Sequence, residues 1–262
     1  MTLAPKQFRL AAVAVAILAL LLGTVWYMTA NGAEPKSDAD DAVEAAGFDT
    51  KERAAIEALV RSYILEHPEI LPEAIERLRE KESLAAMDAI REDLFTPYPG
   101  AVLGNPRGET VLVEFSDYAC GYCRRSVEAV EKLIAEDPDL KVVIREFPIL
   151  SDDSVTAAKW ALAAAHQGKY EAFHHAMYAA GRPTLANIEK AAKAAGLDVE
   201  MARKAAASPA IAAEISANRA FANQLQFGGT PAWVTASGTL EGAVGEDALR
   251  KALNEPGSAQ GG

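Results

Sequence analysis

Two cysteines separated by two residues, Cys120 and Cys123, are the only cysteines in this chain of 262 residues. A disulfide between them would close a very small loop, so it would add little to the stability of the fold through loop entropy. The pair could instead exchange thiols with disulfides, because a thiolate is both the attacking and the leaving species in that reaction. It could also bind a soft metal ion.

The metal interpretation depends on finding further ligands. A closed zinc site needs four, and two thiolates supply only half of them. The other candidates do not form the His-x3–5-His spacing typical of zinc sites; they are His67, His166, His174 and His175. The sequence therefore predicts no metal site and no cofactor, while transient Cu(I) binding by the two thiolates stays an alternative.

The residues around the cysteines predict a strand, a turn and a helix. The β-branched and aromatic run "TVLVEF" begins at Thr110 and leads into CGYC, which is followed by the helical pattern "RRSVEAVEKLIAED". After the break at Asp137-Pro138, "LKVVIREFPI" predicts a second strand, so the order indicates a parallel βαβ unit.

This arrangement would give the two cysteines different properties. Cys120 would begin the helix, where free N–H groups and the helix macrodipole lower the pKa of a thiol. Cys123, one turn further on, would be more buried and would resolve the mixed disulfide. Arg124 and Arg125 add positive charge to the first turn, and we interpret them as solvated side chains, with a contribution to the low pKa of Cys120 as the alternative.

The chain divides into segments of different composition. Residues 34–48 are small and acidic, as expected of a linker, and residues 49–96 form a helical segment. Residues 100–255 form the main α/β domain, in which the alanine-rich residues 152–226 predict several helices. "AWVTA" and "TLEGAVG" then predict a hairpin, "GEDALRKALNE" predicts a last helix, and residues 256–262 are expected to be a disordered tail.

The first 33 residues predict an export signal. Lys6 and Arg9 precede an uncharged run from Leu10 to Leu22, and apolar residues continue to Met28. Basic residues before a short apolar run are typical of a secretory signal peptide, but the stretch up to Met28 is also long enough to span a bilayer. Residues 1–33 are therefore either a signal peptide or a retained signal anchor.

Residues 49–96 predict two amphipathic helices, the second running from about Pro72 to Leu94. The first has an apolar stripe at three- and four-residue spacing, formed by Ile56, Leu59, Val60, Tyr63 and Ile64. Two short helices cannot bury such stripes against each other alone. We expect them to pack on other copies of the chain, with packing on the main domain as the alternative.

The net charge of −11 argues against nucleic acid as a partner, because binding to phosphates needs clustered lysines and arginines.

Three segments together resemble the DsbA-like branch of the thioredoxin superfamily. They are VLVEFSDYACGYC at 111–123, the helical stretch SVTAAKWALAAAHQGKYEAFHHAMYAA at 154–180, and GGTPAWV at 228–234. The resemblance covers roughly residues 100–253. It implies an α/β thioredoxin-like fold with an inserted helical subdomain, preceded here by the short N-terminal helical segment.

The resemblance also implies roles for individual residues. Thr230-Pro231 is expected to be a cis peptide bond against the cysteines, with an ordinary trans turn as the alternative. Gly229, Thr230 and Pro231, together with Tyr122 of the CGYC motif, are expected to bind substrate. Glu114 matches an acidic residue that transfers protons for the buried cysteine; alternatively, it reaches solvent at a strand edge.

A fourth segment, VRSYILEHPEILPEAIERLREKE at 60–82, is similar to the N-terminal part of suppressor-of-copper-sensitivity C proteins and related Com1-type oxidoreductases. Some members of that group oligomerise through this part, which implies a homo-oligomer through residues 49–96.

The expected function is therefore thiol–disulfide exchange on cysteine-containing exported proteins in the periplasm, with a membrane redox partner. The enzyme would be an oxidase or an isomerase, anchored to the inner membrane if residues 1–33 are retained. The alternative is a membrane-tethered copper-binding or chaperone-like module without redox turnover.

Overall fold

The computed structural model describes residues 45–255, which divide into two compact units, one ending at Leu71 and one beginning at Pro72. The predicted export signal, most of the predicted linker and the predicted tail lie outside these residues. Among residues 45–255, no helix is both long enough and apolar enough to cross a membrane.

The helices and strands follow the predicted order closely. Their bounds are α1 Thr50–Glu66, α2 Ile70–Ala89, α3 Arg91–Phe95, β1 Val102–Gly104, β2 Thr110–Ser116, α4 Gly121–Glu136, β3 Leu140–Glu146, α5 Asp152–Ala165, α6 Tyr170–Ala180, α7 Leu185–Ala194, α8 Val199–Ala206, α9 Pro209–Gln224, β4 Ala232–Val234, β5 Thr239–Glu241 and α10 Glu246–Asn254.

Two details differ from the sequence-based expectation. The second N-terminal helix is not continuous to Leu94, because the backbone at Ile90 leaves helical dihedrals and a separate short helix, α3, follows. Strand β1 was not predicted, since its three residues lie among the prolines and glycines that mark the domain boundary.

The strands form one mixed sheet in the order β1-β3-β2-β4-β5. Strands β2 and β3 are parallel and joined through α4, as predicted for a βαβ unit, and the other pairs are antiparallel. Strand β2, which leads into the cysteines, is therefore central and flanked on both edges.

Side chains alternate between the two faces of β2, so the sheet has two buried faces. Leu112 belongs to a core cluster with α4 and the helices of the insertion. Val113 and Phe115 belong to a second cluster that includes Met87 of α2 and Leu94 of α3. The end of the N-terminal helical segment therefore packs on the main domain. For this part of residues 49–96, the alternative to packing on other copies is correct.

Arg145, on the second face of β3, fixes α3 to the domain. Its guanidinium donates hydrogen bonds to the backbone carbonyls of Asp93, Leu94 and Thr96 and forms an ion pair of 2.9 Å with Glu214 of α9. The side chain is 3% exposed, and these acceptors satisfy its buried donors.

Helix α1, the first helix of the N-terminal segment, buries none of its residues. Leu59, Val60 and Tyr63 are 69%, 51% and 54% exposed. An apolar stripe that a monomer leaves in water is typical of an interaction surface.

Candidate active site

Cys120 is the N-cap residue of α4. Its backbone is extended, with φ −77° and ψ 118°, and the backbone N–H of Cys123 donates a hydrogen bond to its Sγ at 3.4 Å. The sulfur thus takes the place of the side-chain oxygen in an ordinary N-cap. Free N–H groups and the macrodipole at this end of the helix stabilise a negative charge there.

Hydrogen bonds set the acidity of this thiol. Together they lower the pKa of Cys120 to about 5, and the bond from the Cys123 thiol has the largest effect. Burial opposes that shift, while the Thr230 side chain and the backbone N–H groups of Cys123 and Tyr122 add to it. Cys120 is therefore a thiolate at neutral pH.

Cys123 has the opposite environment. It is fully buried on the inner face of α4, and burial raises the pKa of its thiol. Its hydrogen bond to Cys120 and the nearby Glu114 carboxylate raise that pKa further. Both cysteines are reduced in this structure, so the protonated Cys123 is poised behind the ionised Cys120.

The Thr230–Pro231 peptide bond is cis, as the resemblance implied. The Cys120 thiol, when protonated, donates a hydrogen bond of 3.2 Å to the carbonyl oxygen of Thr230. Pro231 is buried, while Gly229 and Thr230 are half-buried. The structure therefore brings this loop against the first cysteine, although the two lie 110 positions apart in the sequence.

Tyr122 is 57% exposed on the first turn of α4. The guanidinium carbon of Arg125 lies 4.4 Å from the centre of the tyrosine ring, within the range of a cation–π contact. Arg125 and its neighbour Arg124 are both exposed. This agrees with their interpretation as solvated side chains and leaves an aromatic surface beside Cys120.

Glu114 lies on the central strand β2 and is only 3% exposed, so the alternative of a solvated strand edge is wrong. Strands β3 and β4 flank it, with Ile144 and Trp233 as its neighbours in the ladder. Burial raises the pKa of Glu114 to about 8, a hydrogen bond from Ser116 partly offsets this, and the charge of Cys120 adds to it.

Sequence reasoning missed a group of buried polar side chains around this carboxylate. Ser116 and Tyr178 are within hydrogen-bonding distance of each other, and Ser116 also contacts Glu114. A second buried carboxylate, Glu146 at the end of β3, accepts a hydrogen bond of 3.2 Å from Tyr118 and one of 2.6 Å from Tyr170. The sequence offers one signal for Glu146, its position at the end of a predicted strand. Its two tyrosine partners are not predictable, because they come from other parts of the fold.

The three histidines of the main domain lie in different environments. His174 is buried, and desolvation lowers its pKa to about 3, whereas His175 contacts Glu131 at 3.0 Å. His166 contacts the hydroxyl of Tyr98. Among residues 45–255, no three or more histidine, cysteine or acidic side chains are grouped in a way that could hold a metal ion.

The sequence matches the family model of the DSBA-like thioredoxin domain over residues 111–254, more than half of the chain. The chain belongs to the DsbA-like thioredoxin family. Residues 52–84 also match the copper resistance protein ScsC N-terminal domain. The DsbA-like fold and the ScsC-type N-terminal segment expected from the sequence are thereby confirmed, and the protein is a thiol–disulfide oxidoreductase of this family.

Solved structures support the DsbA-like assignment. A thioredoxin-like oxidoreductase from Silicibacter pomeroyi is 41% identical over 63% of this chain and 95% of its own, with a TM-score of 0.60. The thiol-disulfide exchange protein alpha-DsbA2 from Wolbachia pipientis is 28% identical over 68% and 97%, with a TM-score of 0.61. A linker-deletion mutant of Proteus mirabilis ScsC is 26% identical over 79% and 95%, with a TM-score of 0.65. No curated protein matches the sequence.

The buried carboxylate of this DsbA-like domain predicts a pH-dependent cost to stability. The pKa of Glu114 is about 8 in the folded chain, against 4.5 for an ordinary glutamate. Glu114 therefore costs the fold no stability below about pH 4.5, where it is protonated in the folded and the unfolded chain. The free energy of unfolding falls as the pH rises from 4.5 toward 8. We expect Glu114→Gln to stabilise the reduced protein at pH 7 by on the order of 2–3 kcal/mol.

Urea unfolding of the wild type and Glu114→Gln between pH 4 and pH 8 measures this effect. The stabilisation should shrink as pH falls and should vanish near pH 4.5. A variant that is less stable than the wild type, or a difference that does not change with pH, would contradict the burial of an ionisable Glu114.

Proposed function

We propose that this protein exchanges disulfides with cysteine-containing exported proteins, with Cys120 as the attacking thiol and Cys123 as the resolving thiol. One observation carries the proposal: hydrogen bonds lower the pKa of Cys120 to about 5, while burial raises the pKa of Cys123. A reactive thiolate with low pKa in front of a buried, protonated partner suits a reaction in two steps.

In the first step, the reduced enzyme attacks a substrate disulfide. The Cys120 thiolate forms a bond with one substrate sulfur, and the bond between the two substrate sulfurs breaks. The second substrate sulfur leaves as a thiolate and takes a proton from water. Because Cys120 has a low pKa, it is also a good leaving group when the same step runs in reverse.

In the second step, Cys123 resolves the mixed disulfide. Its proton passes to the Glu114 carboxylate, its sulfur bonds to the sulfur of Cys120, and the bond from Cys120 to the substrate breaks. The substrate leaves reduced and the enzyme is oxidised. Burial of Glu114 supports its role as the acceptor, because a pKa of about 8 makes its ionised form a much stronger base than an ordinary carboxylate and better matched to a thiol.

Substrate is proposed to lie across the exposed ring of Tyr122 and along the loop of Gly229, Thr230 and Pro231. The Thr230 carbonyl already lies 3.2 Å from the Cys120 sulfur. An extended peptide beside this loop could pair with its backbone as an added strand, which leaves its cysteine next to Cys120.

The direction of exchange depends on the resting state of the pair. A membrane redox partner that keeps the two cysteines oxidised would make the enzyme an oxidase, and one that keeps them reduced would make it an isomerase. We place the reaction in the periplasm, in agreement with a similar periplasmic thioredoxin-like protein from Salmonella enterica that is 26% identical. Residues 1–33 would direct export and, if retained, would anchor the enzyme to the inner membrane.

The two cysteines should fail in different ways when substituted. We expect Cys120→Ala to reduce insulin and to refold a scrambled disulfide protein no faster than the uncatalysed reaction, because no attacking thiolate is left. Cys123→Ala should still attack and should accumulate a mixed disulfide with the substrate. Mass spectrometry of the non-reduced reaction mixture detects that adduct.

The same assays test the rival function, a copper-binding or chaperone-like module without redox turnover. The match of residues 52–84 to a copper resistance domain is the observation that favours this rival. A wild type without activity in both assays, but with tight Cu(I) binding that needs both cysteines, would favour the rival. A mixed disulfide at Cys120 favours exchange.

We further propose that the protein self-associates through residues 49–96. The supporting observation is the exposed apolar stripe of α1, which includes Leu59 and Tyr63. Since Met87 and Leu94 are buried against the sheet, the residues before them are the ones available to other copies. Several catalytic domains would then be held in one assembly.

Charges placed in this stripe should disrupt the assembly. We expect Leu59→Glu with Tyr63→Glu to reduce the mass in solution, measured by light scattering, to that of a single chain, because the acidic groups would have to be desolvated at the interface. Arg61→Glu is the matched control, since Arg61 is exposed on the same helix outside the stripe. A monomeric wild type, or equal loss of assembly in the control, would contradict self-association through α1.

A further inference from the structure

Three buried side chains form a continuous line from the catalytic strand to the helical insertion. The Ser116 hydroxyl donates a hydrogen bond of 3.0 Å to the Glu114 carboxylate. The Ser116 and Tyr178 hydroxyls are 2.7 Å apart, and the Tyr178 hydroxyl is 3.2 Å from the backbone carbonyl of Asp117. Glu114 and Ser116 share a face of β2 because they are two residues apart, and Tyr178 of α6 covers that face.

We propose that Ser116 and Tyr178 form a reversible hydrogen-bond chain that lets Glu114 accept and release the proton of Cys123. The inference rests on the proposed function, since it assigns positioning residues to the acceptor in the second step. Neither residue touches the reacting sulfurs in this account; both act through Glu114.

When Glu114 is ionised, only one direction of donation is possible along the hydrogen-bond chain. A carboxylate can only accept, so Ser116 must donate its single proton to Glu114. The bond between the two hydroxyls then requires Tyr178 to donate to Ser116. The Asp117 carbonyl still has a partner, because the backbone N–H of Cys120 donates to it at 2.9 Å.

When Glu114 has received the proton of Cys123, the chain can reverse. The protonated carboxyl donates to Ser116, Ser116 donates to Tyr178, and Tyr178 donates to the carbonyl of Asp117. Each hydroxyl keeps at least one hydrogen-bond partner in both states: Ser116 always donates and accepts, while Tyr178 donates in both states and accepts only when Glu114 is protonated. No buried hydroxyl is left unpaired, which would cost free energy in an interior of low dielectric.

The chain therefore serves both directions of the second step. During resolution, Glu114 takes the proton from Cys123 as the new sulfur–sulfur bond forms. When a substrate thiolate attacks the oxidised pair at Cys120, Cys123 leaves as a thiolate and takes the proton back from Glu114. Ser116 and Tyr178 end each cycle with the protons that they started with.

The electrostatic surroundings of Glu114 include groups from several elements. Those that interact with it are Cys120 and Cys123 of α4, Tyr118 of the preceding loop, Glu146 of β3 and Tyr178 of α6. The tyrosines have strongly raised pKa values because of burial and stay neutral. Of these groups, Tyr178 is linked to the Glu114 carboxylate through the Ser116 hydroxyl, by the hydrogen bonds described above.

Reaction of the full-length reduced enzyme with dithiobis(nitrobenzoate), followed by stopped flow, separates the two steps. Attack by Cys120 releases the first coloured thiolate, and resolution by Cys123 releases the second. We expect Ser116→Ala to slow the second release at pH 7 by roughly threefold to tenfold, the loss expected when a charged acceptor loses one hydrogen bond. The first release should be unchanged, and the pH midpoint of the second should move upward.

Tyr178→Phe should shift the pH profile in the same direction, and the double variant should add little to Ser116→Ala, since both act through one chain. Ser154→Ala and Thr235→Val are the controls: each removes a buried hydroxyl that is not bonded to this chain. Their second release should keep the wild-type pH profile.

The outcomes distinguish the chain from the role of Glu114 itself. If Glu114→Gln leaves the second release unchanged, Glu114 is not the acceptor and the proposed function is wrong on this point. If Glu114→Gln slows that release while Ser116→Ala and Tyr178→Phe keep the wild-type pH profile, only the chain is overturned. Equal slowing in the two control variants would also overturn it.

Discussion

A sulfur anion at the first turn of α4 is the interaction on which the rest of the site depends. Burial by itself would raise the pKa of the Cys120 thiol, but hydrogen bonds from Cys123 and from backbone N–H groups outweigh it. Those N–H groups are free because a helix cannot satisfy its own first turn. Strand β2 ends at Ser116, and the short loop after it delivers Cys120 to that position.

Differences in burial and hydrogen bonding then give the three ionisable groups of the reaction different pKa values. Hydrogen bonds at the N-terminal end of α4 lower the pKa of Cys120, while the fully enclosed Cys123 and Glu114 keep their protons at higher pH. Glu114 costs stability at neutral pH, because its charged form is poorly solvated. A central strand carries that cost, which is expected where a buried carboxylate handles protons rather than packs a core.

Much of this arrangement is predictable from the chain itself. The βαβ unit follows from the β-branched and aromatic run "TVLVEF", the helix after CGYC and the break at Asp137-Pro138. The two-residue period of a strand then places Glu114 on the same face as Ser116. The contact with Tyr178 is not predictable, because it depends on how the insertion folds back over the sheet. The same holds for Glu146 and its two tyrosines. The division of the N-terminal segment at Ile90 also escaped prediction, since its apolar spacing continues through the break while the backbone there does not.

The ultraviolet absorbance of the thiolate, followed as the reduced protein is titrated, measures the pKa of Cys120 itself, with Cys120→Ala as the reference. We expect a single transition with a midpoint of about 5 that is lost in Cys120→Ala. A midpoint near roughly 8.5, the value of a free cysteine, would contradict it. The helix end would then contribute nothing to the reactivity of Cys120.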